Sequence, residues 1–144
     1  MAEIGEFGKL RATPGSLVEL RVTAEFDQLP VIRAVAETLA ALANFGADEV
    51  ADIKLAADEI ASELIGAVVS DVDYVTLSFV TSDSALAVTV AARIAAGHVP
   101  DRGAFGWHVL ETVTDSVTVT ESASDSALPG QQVSVEFVKH RTAQ

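Results

Sequence analysis

The chain has 144 residues, 49% of them hydrophobic but only 6% aromatic, and it contains no cysteine. That length suits one domain whose core is built from Val, Leu, Ile and Ala, and the missing cysteines exclude disulfides, thiol nucleophiles and thiolate metal sites. A formal net charge of −12 argues against nucleic acid, whose phosphates are neutralised by Lys and Arg, and against an anionic membrane surface; it serves solubility and attraction of a basic protein partner equally well.

No apolar run approaches the roughly 18–20 residues that cross a bilayer. The stretch Met1 to Glu6 is acidic and lacks the basic and apolar regions of a secretory signal, so a cytoplasmic location is expected. Residues 1–15 read as a flexible tail ending in the turn Thr13-Pro14-Gly15, and 16–140 as a single domain. Leu17 to Val22 alternates, with Val18, Leu20 and Val22 on one side and Glu19 and Arg21 on the other, the pattern of a half-buried strand. Asp27 is placed to cap a helix with Pro30 in its first turn. Ile32, Val35, Ala36, Leu39 and Leu42 then recur at helical spacing up to Phe45-Gly46. A second helix follows from Val50, Ile53, Ala57, Ile60, Leu64 and Ala67/Val68, with Asp48 and Glu49 at its positive end.

Two alternating strands, around Val75-Leu77-Phe79 and Leu86-Val88-Val90, flank the turn Ser82-Asp83-Ser84 and predict a hairpin. An irregular stretch from Arg93 to Gly103 leads to a third helix over Phe105 to Val113. Val117 and Val119 begin another strand, and Val133, Val135 and Phe137 form the last. Between them Ser122 to Gly130, rich in Ser, Asp, Pro and Gly, is expected to be a mobile loop. Strands with one apolar and one polar face suit a two-layer α/β sandwich, its mixed sheet mostly antiparallel and its helices on one side.

The segment Val50-Ala51-Asp52-Ile53-Lys54-Leu55-Ala56-Ala57-Asp58-Glu59-Ile60 resembles the second helix of the anti-sigma factor switch serine kinases. These belong to the superfamily of histidine kinases, gyrase B and Hsp90-type ATPases. Phe105-Gly106-Trp107-His108-Val109-Leu110 through Asp115-Ser116-Val117 resembles the later helix and strand of the same family, and the element pattern matches from about residue 17 to 139. The resemblance implies a Bergerat-type ATPase fold. It also implies a protein that holds a sigma factor away from RNA polymerase and releases it to an anti-anti-sigma antagonist. Active members reset that switch by phosphorylating a serine on the antagonist with Mg-ATP.

The same resemblance assigns Glu59 to the family's general base and puts Glu63 where an asparagine helps hold magnesium. One turn separates the two, so their side chains share a side of the helix. A glutamate there adds negative charge beside a triphosphate. The plainer reading is that Asp52, Glu59 and Glu63 form a solvated helix edge. The aspartate that accepts a hydrogen bond from adenine corresponds to Ala92, and two glycines of that motif to Ile94 and Ala96. Ala104 and Gly106 stand where a glycine pair opens the phosphate-binding helix; Gly106 serves close packing equally well. The segment from Arg93 to Gly103 is a short lid. ATP and magnesium are therefore not expected as cofactors, and kinase activity is expected to be negligible.

Arg33 matches an arginine with which active members contact both the sigma factor and its competitor; an ordinary surface role fits it as well. Trp107, on an apolar helix, suits the core or an interface anchor. His98, His108 and His140 lack paired ligand spacing, and no metal site is expected. Neither Ser16 nor Ser62 has the neighbours of a hydrolase nucleophile. Three functions stay open: an anti-sigma factor, an active kinase of that family, or a scaffold domain without a sigma partner. A homodimer through the free sheet face suits each of them.

Overall fold

The computed structural model describes residues 17–70, 73–101, 103, 105–122 and 129–142. The expected tail, Ser16, Ala104 and most of the expected loop before Gly130 lie outside the described residues. Five strands and three helices follow in order: β1 (Leu17–Thr23), α1 (Leu29–Leu42), α2 (Ala47–Ile65), β2 (Tyr74–Thr81), β3 (Ala85–Ile94), α3 (Phe105–Val113), β4 (Ser116–Glu121) and β5 (Gln131–His140). The sheet runs β1-β2-β3-β5-β4. All four ladders are antiparallel, so the parallel component expected of a mixed sheet is absent among the described strands.

The alternation that predicts the strands sorts their two faces. Leu77 opposes Leu20 and Val90, and Val88 opposes Phe79 and Phe137, all on the side that meets the helices. Val75, Leu77, Phe79, Val88, Val90 and Phe137 are buried there. Helix α2 packs over β2, β3 and β5, with α1 and α3 both against it. Its buried face mixes Ile53, Ile60 and Leu64 with Ala56, Ala57 and Ala61; the alanines let the backbone approach its neighbours closely. On α1 the buried positions are Ile32, Ala36 and Ala40, one turn apart.

Several boundaries depart from the sequence expectation. Asp27 does not cap α1: it lies in a short 3-10 turn, Phe26–Gln28, and Gln28 enters the helix with φ −89° and ψ −8°, without a side-chain cap. Leu42 keeps the helical spacing but is 73% exposed, because α1 ends there; Ala40 takes the core position. Ala67 and Val68 fall beyond α2, whose helix stops at Ile65, and Val68 instead forms an isolated bridge with Ile94. Arg93 and Ile94 belong to β3 through pairing with Gln132 and Gln131, so the irregular stretch starts at Ala95. No helix of the described residues is long and apolar enough to cross a membrane.

Residues at and just past the end of β5 tie the helices together. The Lys139 ammonium donates to Asp52 Oδ2 at 3.1 Å and to the Val113 carbonyl at 2.9 Å, joining α2 to the C-terminus of α3. Arg141 donates through Nη1 to the Ala43 carbonyl at 2.9 Å, beside the end of α1. Both the N–H and the hydroxyl of Thr142 donate to the Glu49 carboxylate, which also accepts the Gly46 N–H at 3.0 Å at the start of α2. The Thr142 hydroxyl, and next the Gly46 N–H, hold the Glu49 carboxyl below its ordinary pKa. These contacts continue as far as Thr142.

Candidate functional site

The middle of α2 carries the acidic pair that the sequence singles out. Glu59 is half-buried and Glu63, one turn later, is exposed. Opposite Glu59 stands Gly106 near the start of α3. A Cβ at residue 106 would lie 2.3 Å from Glu59 Oε2 and 3.2 Å from its Cδ, so the bare Cα of this glycine makes room for the carboxylate. Glu59, Glu63 and Gly106 line one cavity together with Asp101 and Trp107. That cavity measures about 10 Å³, the space that the centre of about one water molecule needs. An open hollow of about 370 Å³ flanks it on the other side of the two glutamates, between Phe26, Ser62, Gly66 and His98.

Asp52, earlier on the same helix, stays 37% exposed and is held by Lys139 at 3.1 Å. Ala104 lies outside the described residues.

Ala92 and Ile94 stand apart from the cavity of Glu59. Both point inward from β3, 2% and 0% exposed, opposite Val133 and Gln131. They offer this end of the sheet only hydrocarbon. Neighbouring segments also close over it. The Ala67 carbonyl accepts the Ala95 N–H at 2.8 Å, and Gly130 crosses so near that a Cβ there would sit 2.5 Å from the Ile94 carbonyl oxygen and 2.4 Å from Val69 Cγ2. Gly130 has φ +81°, a conformation that glycine adopts without strain.

Arg33 on α1 is half-exposed, and its Nη1 donates to Asp58 Oδ1 on α2 at 2.7 Å. Glu37, one turn along α1, meets Lys54, one turn back on α2, at 3.6 Å. Asp58 is the residue that sequence reasoning missed. The signal was present in reciprocal form: Arg33 and Glu37 are spaced four apart with one order of charge, and Lys54 and Asp58 repeat that order on the next helix. Two antiparallel neighbours with this pattern align both pairs. Trp107 is 4% exposed and belongs to the core. No group of three or more His, Asp or Glu among the described residues is arranged to hold a metal ion.

No protein-family model matches the chain. The anti-sigma-F factor RsbW of Mycobacterium tuberculosis, in strains CDC 1551 and H37Rv, is 29% identical over 128 residues, which cover 88% of this chain and 74% of the relative. A crystal structure of the RsbU and RsbW domains of Rv1364c from Mycobacterium tuberculosis superposes with a TM-score of 0.63 over 88% of this chain at 17% identity. The chain spans 34% of that longer polypeptide, about a third. The chain is thus similar along most of its length to an anti-sigma-F factor RsbW, and it shares the α/β fold of the structure that contains an RsbW domain.

Proposed function

We propose that this chain is an anti-sigma factor that holds an RNA polymerase sigma factor by direct contact and yields it to an antagonist protein, and that its nucleotide site is degenerate. The observation that carries the first half is the match to an anti-sigma-F factor along 88% of the chain. Arg33 supports it further. Its side chain is 41% exposed, and Asp58 fixes one edge of the guanidinium, leaving other N–H donors free to engage a carboxylate on a partner.

The second half rests on Ala92 and Ile94. By the resemblance the family's adenine-binding carboxylate falls at Ala92 and one of its glycines at Ile94, and both side chains are buried here. Glu63 in place of asparagine adds charge repulsion at the metal. Each hydrogen bond involving a charged group contributes about 1.5–3 kcal/mol, so losing several weakens ATP by orders of magnitude. Glu59 stands beside Gly106, and on this reading it transfers no phosphoryl group.

The test sets the purified chain against each sigma factor of its native cell by calorimetry, with Mg-ATP titrated in parallel. One sigma factor is expected to bind, Arg33→Ala to bind it at least about tenfold more weakly, and Mg-ATP to give no saturable heat below millimolar concentration. A low micromolar dissociation constant for Mg-ATP, with Glu59-dependent phosphorylation of the antagonist, would establish the kinase reading instead. Failure of every sigma factor to bind would leave a scaffold domain.

A further inference from the structure

The face of the sheet turned away from the helices carries a second feature. Six basic side chains fall among the described residues: Arg21, Arg33, Lys54, Arg93, Lys139 and Arg141. Three are neutralised by carboxylates, namely Arg33 by Asp58, Lys54 by Glu37 and Lys139 by Asp52. Arg141 is committed to the Ala43 carbonyl. The remaining two, Arg21 and Arg93, line the same hollow of about 280 Å³ on the outer sheet face. In a chain of net charge −12, two arginines without an ion-pair partner among the described residues, converging on one depression, are a departure from the rest of the surface.

The hollow is built by the sheet register. Arg21 on β1 pairs with Thr76 on β2, which pairs with Ala91 on β3, and Arg93 is two residues further along that strand. Thr76 and Ala91 form a low floor, flanked by a guanidinium on either side. Because one strand separates β1 from β3, their backbones are roughly 10 Å apart. The Arg21 guanidinium lies over the ring of Tyr74, 5.3 Å from its centroid, an arrangement that holds the cation in place without consuming its hydrogen-bond donors. Arg93 makes one long contact, 3.4 Å to the Pro129 carbonyl, so most of its five N–H donors stay open. Gln132 adds an amide at the rim.

The carboxylates nearest to these arginines delimit the site. Asp73 lines the hollow but is beyond ion-pair distance of either guanidinium, leaving two positive charges against one negative. The next row of the face, Glu19, Ser78, Thr89, Glu136 and Thr118, carries one carboxylate on β1 and another on β5. A negatively charged ligand is therefore drawn to Arg21 and Arg93 and repelled from the row of Glu19 and Glu136, which fixes its position along the strands.

We propose that this hollow is a docking site for an acidic segment of a partner protein, with two carboxylates of that segment taken by Arg21 and Arg93. The site lies on the opposite side of the sheet from Arg33 and Glu59, and the inference does not depend on the sigma-factor reading. Arginine forks match carboxylates in paired N–H···O bonds, and the shallow neutral floor accommodates an extended main chain.

A fluorescein-labelled hexaglutamate peptide, followed by anisotropy with the full chain at low ionic strength, tests the proposal. The wild type is expected to bind it saturably, with affinity falling as salt is added. Arg21→Gln and Arg93→Gln are each expected to weaken binding about tenfold, and Arg21→Lys to recover little of it. Lys54→Gln, on the helix side and paired there only with Glu37, should bind like the wild type, and all variants should melt like it. Equal binding by the Arg21→Gln/Arg93→Gln double variant overturns the proposal. So does tighter binding of a single-stranded oligonucleotide, or sedimentation showing that the double variant dissociates a dimer of this chain, since the face then serves another occupant.

Discussion

Lys139 offers the sharpest test of how the layers are held together. Its ammonium is 15% exposed and touches two elements at once, Asp52 on α2 and the Val113 carbonyl at the end of α3. Lys139→Met keeps most of the aliphatic stem and its packing while removing both polar contacts. The bond to Val113 is a charge-assisted hydrogen bond in a sheltered position, worth about 1.5–3 kcal/mol. The Asp52 contact counts for less, because that carboxylate is 37% exposed and water screens it to about 0.5 kcal/mol. The sum, about 2–3.5 kcal/mol, corresponds to a fall in Tm of about 6–10 °C at about 3 °C per kcal/mol for a domain of this size. Thermal and urea denaturation at pH 7 measure it. Asp52→Asn should lose less than about 1 kcal/mol, and added salt should narrow that smaller gap. A Lys139→Met protein that melts within about 1 °C of the wild type would refute the reasoning.

Glu49 and Gly130 supply the remaining predictions. The Glu49 carboxyl titrates below its unfolded value, so its contribution to stability is complete above that value, 4.5, and is lost as the pH falls through the lower folded pKa. Glu49→Gln should therefore flatten the acid limb of a plot of Tm against pH between about 5 and 3; parallel profiles for variant and wild type would remove the Thr142 tie from the account. At Gly130, an alanine must adopt φ +81° and press its Cβ against the Ile94 carbonyl. Left-handed strain alone costs about 1–2 kcal/mol, and the backbone overlap raises the expected loss to about 2–4 kcal/mol, readable as a shifted urea midpoint. A neutral Gly130→Ala would mean that the 129–130 segment does not seal the end of β3.

Much of the architecture was legible from the residues because the strands are two-faced. Val75-Leu77-Phe79 and Leu86-Val88-Val90 each specify which side meets the helices, and the Ser82 turn sets their pairing, with the Ser82 N–H donating to the Ala85 carbonyl at 2.9 Å. The periodicity of α2 identified its buried face for the same reason. What escaped was set by partners distant in sequence. Leu42 has the spacing of a core residue, yet at the end of α1 it is 73% exposed. Asp52 seemed to share a face with Glu59, but its environment is decided by Lys139, 87 residues away. Of the candidate site, the resemblance singled out Glu59, Glu63 and Gly106, which line one cavity. The closure of Gly130 over Ile94 was not, since no local pattern reveals which segment will cross a strand end.

The placement of β5 between β3 and β4 has a consequence for how the molecule is made. During synthesis, β1, β2 and β3 emerge in an order that lets each zip onto its predecessor, whereas β4 leaves the ribosome with no neighbour to accept it. Only when β5 follows can pairs such as Val88 with Phe137 form and β4 be recruited alongside. Until then the nascent chain presents an unpaired margin on β3 and an orphan β4, the kind of surface that invites association with other chains. Shielding that intermediate, by a chaperone or by rapid release of the polypeptide, should therefore govern the yield of native protein more than the intrinsic stability of the finished sheet.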